Sequence, residues 1–128
     1  MMKIFYIKGE NKFLAEGLEN SVWDVVVCDN SDEIEEKLKN SNPDMIVLEA
    51  EDFKSIHECQ KIKPYLDKEL IPIILVIQNK ENEISYKSAN AFVSIDSTKD
   101  LAFLFSTIQA MAKNRKNLIT LTNNNSEL

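Results

Sequence analysis

Residues 43–52 read PDMIVLEAED: a turn, an apolar run, then carboxylates at Glu49, Glu51 and Asp52. A carboxylate at the end of an apolar strand is either a reaction site or the solvated end of that strand, and the sequence leaves both open. The only histidine, His57, stands in HEC with Glu58 and Cys59. On a helix His57 shares its face with Lys61, not Cys59. With no second histidine and no HExxH, the trio is no zinc site, and His57 is expected at or near the surface. Cys28 and Cys59 lie in apolar settings at no metal-ligand spacing, which predicts buried, reduced thiols. The only glycines are Gly9 and Gly17, so phosphate-binding and dinucleotide fingerprints are excluded. The serines lack a nucleophile-elbow context, and Trp23 reads as a packing residue. No catalytic residue stands out, and the chain is not expected to be an enzyme.

The elements that position these residues follow from hydropathy periodicity. Strands are predicted over 3–7 (KIFYI), 22–28 (VWDVVVC), 45–49 (MIVLE), 72–78 (PIILVIQ) and 91–95 (AFVSI). Helices are predicted over 11–20, 29–40, 53–66, 82–90 and about 99–116. Ser31 is the candidate N-cap of the second helix, whose acidic first turn (Asp32, Glu33) suits the helix dipole. Pro64 should end or bend the third, and Ser97 or Thr98 should cap the fifth. The strands are near-continuous apolar runs, which a parallel sheet covered on both faces requires. A doubly wound α/β sandwich with right-handed crossovers follows.

Length and charge bound the rest. The chain has 128 residues, 44% of them hydrophobic, and a net charge of −6. That size suits one domain, and the mixed, net acidic charge argues against nucleic acid as a partner. No apolar run approaches the roughly 20 residues that a membrane span needs. The apolar part of MMKIFYIKGEN is too short for a secretory signal. A cytoplasmic protein is expected.

Five β/α units in this length, with Pro43-Asp44 leading into the third strand and Ile71-Pro72 into the fourth, resemble the receiver domain of two-component response regulators. The resemblance runs from about Lys3 to Lys116, and SDEIEEKLKNSNPDMIVLE is its most specific segment. It implies a flavodoxin-like (βα)5 fold with strand order 2-1-3-4-5. It also implies a site, from which this sequence departs. The phospho-acceptor Asp position is held by Glu49. The two metal-binding acids after the first strand fall on Lys8, Gly9 and Glu10, of which only Glu10 could serve. The phosphate-reading Ser or Thr falls on Ile77, and the Lys-Pro pair on Ile95 and Asp96. Magnesium takes oxygen ligands, and Lys8 in an acid position would repel the ion. Phosphoryl transfer rests on positioning and charge neutralisation, and isoleucines supply neither. No cofactor is therefore expected, magnesium entering only if the pocket works.

The last helix carries Leu101, Leu104, Ile108, Met111 and Ala112 at helical spacing, and Ala102, Phe103 and Phe105 widen that stripe. Both burial in the core and a second interface are open readings. The resemblance implies dimerisation through the fourth helix, fifth strand and fifth helix, with Phe92, Leu101, Phe105 and Ile108 as the candidate face. Residues 1–116 form the receiver-like domain. Residues 117–128 form a loose linker or, as Leu118 and Leu121 suggest, the start of a coiled-coil helix towards an effector domain after Leu128. The expected function is that of an atypical receiver acting by protein contact or dimerisation, with Glu49 either a polar strand end paired with Lys8 or a mimic of a phosphorylated residue. The alternatives are a working phospho-receiver with an acidic pocket around Glu49, and a flavodoxin-like ligand binder using Asn79, Ser94 and Asp96.

Overall fold

The computed structural model of the chain describes residues 1–9, 12–50, 57, 60–77, 93–96 and 101–126. Its strands are β1 (Lys3–Ile7), β2 (Asp24–Cys28), β3 (Met45–Ala50), β4 (Ile73–Ile77) and β5 (Val93–Asp96). Its helices are α1 (Lys12–Glu19), α2 (Ser31–Leu38), α3 (Lys63–Lys68) and α4 (Leu101–Ser126). The strands form one sheet in the order β2-β1-β3-β4-β5, and every neighbouring pair is parallel. The α/β class and the parallel sheet are as the sequence predicts. The helix expected over 82–90, most of that expected over 53–60, and the caps at Ser97 and Thr98 lie outside the described residues.

The pleat divides the core in two, because alternate side chains point to opposite faces. Phe5, Ile7, Ile46, Leu48, Ile73 and Leu75 face one way and pack with Ile34 of α2 and Leu66 of α3. Ile4, Tyr6, Met45, Val47, Ile74 and Val76 face the other way and pack with Leu14 and Leu18 of α1 and Leu104 and Ile108 of α4. A strand buried on both faces has no polar side to show, which is why these strands read as unbroken apolar runs. Gly17 of α1 faces Leu101 of α4: a Cβ built there would stand 2.6 Å from a Leu101 methyl, so a larger residue would make that side chain shift.

Local signals were displaced in three places. The N-cap of α2 is Asn30, not Ser31. Its side-chain oxygen accepts the Glu33 N–H at 2.9 Å, while the Glu33 carboxylate accepts the Asp29 N–H at 2.7 Å. Asn30 is extended (φ −158°, ψ 177°), as a cap must be, whereas Ser31 is already helical and buried. Pro64 does interrupt the third helix, but it also starts a new one. A turn at Lys61–Ile62 separates the helical Gln60 from α3, and Pro64 lies in α3's first turn. There its missing N–H costs nothing and its fixed φ fits. Lastly, α4 continues to Ser126, where the sequence suggests an end near 116 and a looser tail.

Candidate functional site

The C-terminal edge of the sheet brings the ends of β1 and β3 together. Ile7, the last residue of β1, is level with Leu48, so Lys8 and Gly9 leave the sheet beside Glu49. Alternation from Met45 and Val47 points Glu49 to the α1 face, and its side chain is only 2% exposed. Its carboxylate oxygen Oε2 accepts a hydrogen bond from the Gly9 N–H. Burying a carboxylate is costly unless hydrogen bonds compensate, and the Gly9 amide supplies one. Of the two readings the sequence leaves open, the solvated strand end is thus corrected to a buried, hydrogen-bonded acid.

The expected partner Lys8 is not what holds Glu49. Its side chain is exposed, and among the described ion pairs none joins the two residues. A lysine gains by keeping its ammonium in water, and a backbone amide does not have to be desolvated from a charged state. Ile77 ends β4 opposite Ala50, and Ile95 of β5 lies opposite Val76. The backbone thus gathers positions 8, 9, 49, 77 and 95 at or near one edge of the sheet. Glu10, Glu51, Asp52 and Asn79 lie outside the described residues.

A magnesium ion, which the receiver resemblance implies, does not fit the described part of this edge. Lys8 brings a positive charge to it, and one Glu49 oxygen is engaged by an amide. Among the described residues no three His, Cys, Asp or Glu side chains converge on a set that could hold a metal. No step through a metal follows.

The candidate interaction face divides. Ile108 is fully buried against the sheet, so it belongs to the core. Leu101 and Phe105 are half-buried. Phe105 meets Trp23 edge to face, with ring centroids 5.0 Å apart, an arrangement the aromatic quadrupoles favour. Trp23 is thus a packing residue. Phe92 lies outside the described residues. The apolar side chains that α4 presents to solvent are Phe103, Leu118 and Leu121. Cys28 is a free thiol, fully buried. Burial first, then the Glu33 carboxylate, pushes it from 9.0 up to about 11, so it is an inert packing group. Cys59 lies outside the described residues, and His57 is exposed.

One cluster at the opposite edge escaped sequence reasoning. Arg115 of α4 donates from Nε to the Leu70 carbonyl (2.9 Å), from NH1 to Asp44 Oδ1 (3.1 Å) and from NH2 to the Glu69 carbonyl (3.4 Å). Asp44 also accepts the Lys3 N–H through Oδ2 at 2.8 Å. Pro43-Asp44 was legible as a turn and as part of the receiver resemblance, not as an anchor for Arg115. A signal was present, however: Arg115 is the only arginine in a chain otherwise supplied with lysine, and only a guanidinium offers a fork of donors.

Comparison with known proteins places this architecture. Neither a protein-family model nor the sequence of a curated protein matches the chain. Solved structures do. NtrX from Brucella abortus, in complex with ADP, superposes with a TM-score of 0.77 at 15% identity, covering 96% of this chain and 29% of that one. The BeF3-activated N-terminal receiver domain of Klebsiella pneumoniae RstA gives 0.67 at 22% identity, covering 86% and 97%. The signal receiver domain of a signal transduction histidine kinase from Syntrophus aciditrophicus gives 0.72 at 17% identity, covering 89% and 92%. The fold is that of a response regulator receiver domain. The chain spans less than a third of the NtrX chain. No described helix is long and apolar enough to cross a membrane.

Proposed function

We propose that this chain is an atypical receiver module of signal transduction that works through protein contacts and accepts no phosphoryl group at Glu49. One observation carries the reading: Glu49, at the acceptor position, is buried and hydrogen-bonded to the Gly9 amide. A nucleophile must reach its donor in line, and transfer needs charge neutralisation around the moving group. A buried carboxylate tied to the β1–α1 connection is poorly placed for the first, and Lys8, Gly9, Ile77 and Ile95 are the wrong residue types for the magnesium-assisted second. In this reading Glu49 acts as a permanent brace of the loop after β1. The domain is non-enzymatic and cytoplasmic, with no resident cofactor. The test is incubation with acetyl phosphate and magnesium followed by intact mass. The expected spectrum is unchanged, and a stable gain of one phosphoryl group on Glu49 would overturn the proposal.

The surface of α4 favours self-association as the form of contact. Phe103 is 48% and Leu121 58% exposed, and at 3.6 residues per turn they recur on one side of the helix after about five turns. A second copy of the chain, packed along α4, would cover both. Light scattering on the chain and on Leu121→Glu tests this: the expected result is a dimer that the variant reduces to monomer, and two monomeric samples would refute it. Leu121 is the probe of choice over Phe105, whose substitution would break the Trp23 contact inside the fold.

A further inference from the structure

We propose that Arg115 is a positioning residue that couples the connection between α3 and β4 to the direction and order of the last turns of α4. The guanidinium bridges two separate parts of the domain by hydrogen bonds. It holds the carbonyls of Glu69 and Leu70 and the Asp44 carboxylate at once, and its own side chain is 17% exposed. Both ends of this bridge have a reason to need it. Leu70 stands at φ 57°, the one non-glycine left-handed residue among those described, a conformation that a branched side chain holds only when its surroundings fix it. Arg115 fixes its carbonyl, and the Leu70 and Ile71 N–H groups bond to Asp67 and Leu66 carbonyls at 3.1 and 2.8 Å. Asp44 anchors the other arm to the start of the sheet, since it exchanges hydrogen bonds with Lys3 through both its side chain and its backbone N–H, each at 2.8 Å.

On the helix side, Arg115 marks a boundary. Up to Ala112, α4 packs on the sheet. Past Arg115, Leu118 is 41% exposed and lines a groove with Leu70, Pro72 and Met111, Ile119 is half-buried, and Leu121 is 58% exposed. A helical segment this short is marginal in water by itself. Residues 116–126 stay helical because they propagate from a docked segment, which Arg115 ties to Asp44, Glu69 and Leu70. Any partner that pulls on the helix end therefore strains the Leu70 carbonyl, and any contact that reshapes residues 69–71 loosens the helix end. The coupling is reciprocal, as coupling free energies must be.

Amide hydrogen exchange on the full chain tests this with two variants. Arg115→Met keeps the packed stem and removes every donor. Arg115→Lys keeps the charge opposite Asp44 but not the fork. The expected result in both is exchange faster by at least about tenfold in residues 69–71 and in 116–123 together, the factor that follows from losing one charge-assisted hydrogen bond, with β1 and β3 unchanged. If Arg115→Met unfolds the chain, as a collapse of β1 and β3 protection would reveal, Arg115→Lys alone decides. A rise in 69–71 without one in 116–123, a uniform rise in Arg115→Lys, or no change in either segment overturns the proposal.

Discussion

Glu49 shows how the meaning of one side chain depends on residues far away in sequence. One partner, the Gly9 N–H, lies just past the end of β1, so an acid that reads as a strand end becomes a buried, hydrogen-bonded group. Removing the acceptor by Glu49→Ala should leave that amide without its carboxylate and destabilise the fold by about 1–3 kcal/mol, measurable by urea unfolding. Glu49→Gln, which keeps an acceptor oxygen in place, should lose much less. Cys28 gives a second residue-level expectation. Its pKa is raised on folding, so the folded state holds the thiol proton more tightly than the unfolded state. The contribution to stability is complete below pH 9 and is lost as pH rises from 9.0 towards 11. At pH 8 the native thiol should accordingly react with iodoacetamide at least about a hundredfold more slowly than in the unfolded chain. Comparable rates would show that Cys28 is not enclosed.

At the scale of elements, the strands were legible and the helix ends were not. Burial on both faces writes a strand as a continuous apolar run, and IILVI in β4 could hardly be anything else. Caps are decided by a single backbone conformation, so Asn30 and Ser31 could not be told apart until the chain was seen to be extended at Asn30. Replacing Asn30 with alanine should cost about 1 kcal/mol, the loss of the cap bond to the Glu33 N–H. The length of α4 was hidden for a different reason: its last turns carry a run of polar residues with no apolar periodicity to mark them. The docked and protruding halves should differ sharply on truncation. Ile108→Ala should cost about 2–5 kcal/mol, as expected for a buried residue, while Leu121→Ala should change the stability of the monomer by no more than about 0.5 kcal/mol. Equal losses in thermal or chemical melts would contradict the division of α4 at Arg115.

For the whole molecule, the parallel α/β architecture could be read from the order of apolar runs and turn residues, because each strand is an unbroken apolar run and each helix between them carries a helical stripe. The site could be read only as a set of positions. Lys8, Gly9 and Glu49 do converge, but the burial of Glu49 and its bond to the Gly9 amide are properties of the assembled edge. Arg115 and Asp44, which link the end of the chain to the start of the sheet, left no trace beyond the rarity of arginine. The central claim is that the receiver fold is kept here while the acceptor edge is closed to phosphoryl chemistry. Backbone amide NMR during titration with magnesium and beryllofluoride tests it most directly, since a working acceptor would bind this phosphoryl analogue. The Gly9 and Glu49 amide resonances should stay where they are. Saturable shifts of both, dependent on magnesium and beryllofluoride together, would contradict the account.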